Sequence, residues 1–218
     1  MKFIKKIDAD KVLLGLSFFF RFLLAYAIIV GIVTKHWTIV FISFFALILT
    51  FLPGMISKNY KVYLPAEFEF LTILFIYMTL FLGEIKGYYL KYWWWDNLLH
   101  TFSGIAFGFL GFLFVYTLYK AGKISTKPIF LAVFAFCFAL SIGAVWEITE
   151  FSIDSLVHTD MQRRGTGIFD TMYDLIEDAG GALFAATVGF FYMRGVKGSG
   201  LFDFILKRFI KKNRHLIR

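Results

Sequence analysis

Six predominantly apolar stretches dominate this chain, running approximately from Val12 to Thr34, Trp37 to Ile56, Leu64 to Leu82, Asn97 to Tyr119, Pro128 to Asp154 and Phe169 to Met193. A helix needs about 20 such residues to cross the hydrocarbon core of a bilayer. In lipid every backbone N–H and C=O must find its partner within the spanning structure, so each stretch is expected to be helical. Of the 218 residues, 59% are hydrophobic and 17% charged, against about 25% charged in soluble domains. A soluble domain, extended disorder and a secreted disulfide scaffold are therefore excluded. The single cysteine, Cys137, lies in an apolar run and reads as a small buried side chain. The expected fold class is an all-α polytopic membrane protein. It has six transmembrane helices in residues 1–198 and a basic amphipathic tail helix in residues 199–218.

The first stretch follows Lys2, Lys5 and Lys6 and contains Ala25-Tyr26-Ala27, features shared with a cleaved signal peptide. Apolar sequence continues through Ile28, Ile29 and Val30, so an uncleaved first span is the simpler reading. With six spans both termini share one side. That side collects 17 of the 23 lysines and arginines and the other side 5, with Arg21 inside the first span. The positive-inside rule then makes both termini cytoplasmic in a multi-pass protein of the cytoplasmic (inner) membrane. The net charge of +8 is thereby explained by topology and not by nucleic acid. In the tail, Leu201, Phe202, Ile205, Phe209 and Ile210 alternate with Lys207, Arg208, Lys211, Lys212, Arg214 and Arg218. This pattern suits a helix lying on anionic inner-leaflet headgroups.

Acids inside a membrane cost about 2.5 to 3.5 kcal/mol each at a helix centre, so their placement is the most informative part of the sequence. Nine of the fifteen fall between residues 96 and 178. Helical spacing sorts them into stripes. Asp96 and His100 are four apart on the fourth span; Glu147, Glu150 and Asp154 share a face of the fifth; Asp170, Asp174 and Asp178 repeat every four on the sixth. Counting about 20 residues from the far end of each span puts Glu147 and Asp178 at membrane depth. Stripes of this kind are expected to face one another across a polar cavity that opens to the outer surface. Gly104, Gly108 and Gly111, with Gly180 and Gly181, offer small faces for close helix approach.

Nine carboxylates against Arg163 and Arg164 leave seven formal negative charges in excess. Protonation, recruited arginines or a bound cation can relieve such crowding. Oxygen ligands beside one imidazole suit Mg²⁺, Mn²⁺, Ca²⁺ or Zn²⁺. The candidate metal ligands are Glu147, Glu150, Asp154, Asp170, Asp174 and Asp178; Asp96 and His100 are candidate catalytic groups, and Arg163 and Arg164 candidate phosphate binders. Structural roles compete with these. Asp96 and Asp170 suit helix N-termini, and Glu147 and Glu150 could pair with Arg163 and Arg164. Asp160 and Glu177 read as ordinary exposed charges, and Trp93, Trp94 and Trp95 as an interfacial aromatic belt. Arg21 either snorkels or neutralises a carboxylate or a lipid phosphate.

Three segments carry a resemblance: Trp95-Asp96-Asn97-Leu98-Leu99-His100, Trp146-Glu147-Ile148-Thr149-Glu150 with Asp154, and the run from Asp170 to Gly180. In this order they resemble the YjdF-like family of bacterial inner-membrane proteins over approximately residues 60 to 195. That likeness implies fold and location, not an activity. The chain is more loosely similar to VanZ-like proteins, where Glu147 or Glu150, Gln162 with Arg163, and Asp174 with Gly180 or Gly181 occupy the matching roles. The extra acids Glu150 and Asp178 depart from that pattern. This second likeness implies a link to the cell envelope and glycopeptide resistance. Three functions stay open: a metal-dependent enzyme acting on a lipid or lipid-linked phosphate, a cation- or proton-coupled transporter, and a non-catalytic lipid-binding or envelope-assembly protein. The sequence leaves the oligomeric state open.

Overall fold

The computed structural model describes residues 9–158, 160–162, 167–196 and 200–217 and, among them, contains helices and turns without a strand. Six helical segments are long and apolar enough to cross a membrane: Ala9–Val33, Trp37–Tyr60, Ala66–Ile85, Trp95–Lys120, Pro128–Leu156 and Ile168–Met193. Each coincides with one of the six apolar stretches. The chain divides into two compact units, Met1–Tyr92 with Lys211–Asn213, and Trp93–Ile210 with Arg214–Arg218.

In the first unit, α1 (Ala9–Val33) packs on α2 (Trp37–Leu49) and on α4 (Ala66–Ile76), around Leu24, Ala46 and Tyr77. The second span is not one helix. It breaks at Thr50–Phe51, and α3 (Leu52–Tyr60) restarts with Pro53 in its first turn, where a missing N–H does no harm. Arg21 answers the break. Its Nη2 donates to the Thr50 carbonyl at 2.8 Å and to Glu69 Oε1 at 3.1 Å, and its Nε to Thr50 Oγ1 at 3.2 Å. Phe51 covers the guanidinium face, 4.8 Å away. Of the roles open to Arg21, the structure shows it neutralising a carboxylate. Beyond α4 the third span widens into a π-helical stretch, Tyr77–Ile85, and α5 (Tyr88–Lys91) is a single turn. At the far end of the sequence, Asn213 is fully buried; its side chain accepts from Tyr63 N at 2.7 Å and donates to Tyr63 O at 2.9 Å.

The Arg21 contacts make a direct prediction. Arg21→Leu leaves Glu69 and the Thr50 carbonyl without their cation and is expected to cost on the order of 3 kcal/mol. The double variant Arg21→Met, Glu69→Leu should recover much of that loss. Unfolding of both variants in mild detergent measures the difference; equal stability of single and wild type would show the pair contributes nothing.

The second unit is an up-down-up bundle of α6 (Trp95–Lys120), α7 (Pro128–Val157) and α8 (Ile168–Met193), with α6 and α8 parallel. Glycine sets its spacing. A Cβ on Gly104 would strike the backbone of Asp178, one on Gly181 the Thr101 carbonyl, and one on Gly108 would come within 2.6 Å of the Ala185 methyl. Gly180, in contrast, faces open space. The bundle has two unlike ends. The end where α6 and α8 begin and α7 finishes carries the acids. Toward the other end, Phe112, Tyr116 and Tyr192 form an aromatic cluster joined by Phe202 of α9 (Leu201–Lys212), which stacks on Phe109 at 4.5 Å. The tail is thus helical, with Leu206 and Phe209 buried and Lys207, Lys211 and Lys212 exposed. Cys137 is exposed on α7, which corrects the expectation of a buried side chain. Lipid is as apolar as a protein interior, so hydropathy alone cannot say which side of a spanning helix a small thiol occupies.

Candidate functional site

The acids converge on one imidazole. His100 lies one turn after Asp96 on α6 and is buried between the three helices. Its Nε2 is 3.7 Å from Asp96 Oδ1, 3.9 Å from Glu147 Oε1 on α7 and 3.9 Å from Asp174 Oδ1 on α8. Its other nitrogen, Nδ1, is 3.2 Å from Asp178 Oδ2. One ligand atom each from Asp96, His100 and Asp174 can be chosen so that all three lie within 4.8 Å of one another. The spacings of four in the sequence produce this arrangement, because residues four apart stand above one another on a helix.

The four carboxylates differ in their bonding. Asp178 is held on both oxygens: Oδ2 by His100 and Oδ1 by the Ser103 hydroxyl at 2.5 Å, which also stands 2.8 Å from the His100 carbonyl. Glu147 is the opposite case. It is 4% exposed, and neither of its oxygens has a hydrogen-bond partner. No described lysine or arginine pairs with Glu147, Asp174 or Asp178. A buried carboxylate left unbonded is costly, so Glu147 marks a place where the folded chain leaves a strong acceptor unused.

A family model described as "Predicted membrane protein (DUF2238)" matches residues 15–195. The chain belongs to the DUF2238 family. Membership agrees with the likeness to YjdF-like membrane proteins. A protein of Thermotoga maritima, printed only as "Uncharacterized protein", is 24% identical over 128 residues, a match spanning 59% of this chain and 64% of that protein. No solved structure matches.

In this DUF2238 protein the described members of the expected site fall into three groups. Asp96, His100, Glu147, Asp174 and Asp178 come together around the imidazole. Glu150 and Asp170, half-buried, stand one turn further toward the ends of α7 and α8 and are not among the carboxylates within 4 Å of His100. Asp154 faces the loop after α7, where Oδ1 accepts from Met161 N at 2.9 Å and Oδ2 from Gln162 N at 3.0 Å. Gln162 continues the stitching by donating to Thr171 Oγ1 at 2.8 Å. Arg163 and Arg164 lie outside the described residues. Asp154→Ala is accordingly expected to leave any ion at His100 in place while loosening the loop. Limited proteolysis between α7 and α8 should quicken, with metal content unchanged; a loss of metal would return Asp154 to the ligand set.

Two expectations from sequence spacing meet a different environment. Glu177, read as an ordinary exposed charge, is half-buried and accepts a hydrogen bond from Asn97 across α6 and α8. Trp95, grouped with an interfacial belt, is buried, whereas Trp93 is 80% exposed. Two uncharged residues around His100 escaped notice, Ser103 and Gly143, whose missing Cβ leaves room for the Asp178 carboxylate; Asn97, noted only within a motif, bonds Glu177. Ser103 was within reach of spacing arguments, one turn after His100 on the same face. Gly143, one turn before Glu147, was within reach too.

Proposed function

We propose that this membrane protein binds a divalent cation between Asp96, His100 and Asp174, and uses it to hydrolyse a phosphate ester borne by a membrane lipid. Glu147 carries the reading: it is buried, neither of its oxygens has a hydrogen-bond partner, and it faces the same imidazole nitrogen at 3.9 Å. Two ligands each about 2.0–2.1 Å from a tetrahedral ion stand about 3.3–3.4 Å apart. The observed 3.7–3.9 Å around Nε2, within a group whose ligand atoms lie no more than 4.8 Å apart, closes to that with side-chain shifts of about an ångström. A bound ion supplies charge to polarise a phosphoryl oxygen and activate water. Glu147 takes the proton of the attacking water. The water oxygen bonds to phosphorus, the bond to the lipid oxygen breaks, and that oxygen receives the proton from Glu147. Arg163 and Arg164 are assigned to the phosphate, as guanidinium groups suit its oxygens.

The choice of a lipid substrate rests on what surrounds the site. At the depth of the ligands the bundle's outward side chains are apolar: Phe102 on α6, Ile148 and Phe151 on α7, Phe169, Tyr173 and Ile176 on α8. A ligand with an acyl chain stays in that layer while its polar group enters. The positive-inside count turns this end away from the cytoplasm. Transport fits less well. Below Glu147 and Asp178, Ser141 is turned outward and bonds its own helix at the Cys137 carbonyl, which leaves Thr187 as the remaining polar side chain on those stretches of α7 and α8. Metal analysis of the purified protein, followed by phosphate release from phosphatidic acid in mixed micelles with and without chelator, tests the proposal. Metal-free protein, or hydrolysis indifferent to chelator, would remove it.

A further inference from the structure

We infer that Asp178 is a positioning residue that presents His100 Nε2 as a nitrogen ligand, and that the site therefore selects a zinc-like first-row transition ion over Mg²⁺ and Ca²⁺. The inference rests on the cation site proposed above and names the class of its ion.

The placement of Asp178 is unusually determined. Its backbone lies against Gly104, where any Cβ would collide, and its carboxylate lies against Gly143, where a Cβ would strike Oδ2. Ser103 donates to Oδ1 at 2.5 Å and His100 Nδ1 sits 3.2 Å from Oδ2. Three helices thus fix one carboxylate, and that carboxylate fixes one ring. A carboxylate accepts, so Nδ1 is the donor, and in the neutral ring that an ion requires the lone pair belongs to Nε2. Nε2 is the nitrogen that faces Asp96, Glu147 and Asp174. A carboxylate behind the distal nitrogen is how metal-binding histidines are oriented and made more basic. Imidazole nitrogen suits zinc, iron, copper and nickel, whereas Mg²⁺ and Ca²⁺ take oxygen donors. Asp178 faces Nδ1, on the other side of the ring from the nitrogen that Asp96, Glu147 and Asp174 share, so it stands behind the imidazole and not among the groups around Nε2.

The test uses full-length protein in detergent, stripped with chelator and titrated separately with Zn²⁺, Mg²⁺ and Ca²⁺ against a chromophoric competitor. Wild type is expected to bind Zn²⁺ at least 100-fold more tightly than Mg²⁺ or Ca²⁺. Asp178→Asn should weaken Zn²⁺ binding about 10- to 100-fold, although Asp96, His100, Glu147 and Asp174 all remain. Loading with Co²⁺ adds a signature that a merely structural role would not move: the visible absorption should shift in Asp178→Asn and stay unchanged in Asp154→Ala. Should Asp178→Asn fail to fold, Ser103→Ala decides, with an expected loss of about two- to tenfold from one hydrogen bond. Equal affinity for Zn²⁺ and Mg²⁺, or unaltered Zn²⁺ affinity in a folded Asp178 variant or in Ser103→Ala, overturns the inference and leaves the cation site standing. No binding of any ion overturns both.

Discussion

Asp174→Asn is expected to empty the site. The substitution keeps shape and volume but removes the negative charge of one of the three ligand groups that lie together at the imidazole, leaving a weakly ligating amide oxygen. Changes behind a ligand already cost about 10- to 100-fold in affinity, so loss of a ligand should exceed 100-fold. Purified variant protein should elute as a single species and keep its helical circular dichroism while its metal content falls to background. Phosphate release should fall with it. The comparison with Asp154→Ala gives the result its meaning, since that acid is bound to Met161 and Gln162 backbone amides. Wild-type metal content in Asp174→Asn would place the ion elsewhere, and the proposed chemistry would go with it.

Gly104→Val carries the second large effect, and it reaches the site through packing alone. A Cβ at this position would meet the backbone of Asp178, and backbone cannot rotate aside as a side-chain tip can. Overpacking of this kind costs about 1–3 kcal/mol, and more where the neighbour is rigid. To relieve it, α6 and α8 must separate, which pulls His100 from Asp178 and Asp96 from Asp174. Thermal unfolding in detergent should drop sharply, and metal content should drop in the surviving folded fraction. Gly180→Ala is the matched control. Nothing lies within 4 Å of that position on α8, so stability should be unchanged or rise by about 0.5–1 kcal/mol from the better helix former. Similar behaviour of the two variants would show that the close approach at Gly104 does not hold the bundle.

How much of this was written in the sequence follows from what helical periodicity can and cannot encode. The spans were legible because about 20 apolar residues have few other uses in a chain this rich in phenylalanine. The convergence on His100 was legible in outline, since charge at membrane depth is too costly to face lipid. Spacing told which acids share a face of one helix. It could not tell which turn of α7 stands level with which turn of α8. That register depends on glycines at close approaches: Gly104 and Gly181 meet backbone and Gly143 meets the Asp178 carboxylate, while Gly180 meets nothing. Asp154 shared the stripe of Glu147, yet the polypeptide turns at His158, φ 63°, and its carboxylate caps the loop. Ser103 was overlooked because a hydroxyl in a membrane helix is usually satisfied by its own backbone, as Thr149 and Ser152 are. The break in the second span was hidden for a similar reason: Pro53 was read as part of an apolar run, and the arginine that serves the break is 29 residues away.

The close-packed portion of the bundle beyond the acids has an electrical consequence. Gly108 against Ala185, Gly111 against Phe138 and Gly189 against Phe112 leave an insulating layer beneath a strongly charged centre. On the stretches of α7 and α8 beyond Glu147 and Asp178, Ser141 bonds its own helix and Thr187 is the other aliphatic hydroxyl among apolar and aromatic side chains. Under the proposed function, such a layer would let ionic chemistry proceed at one face while the voltage and the proton gradient across the bilayer are maintained.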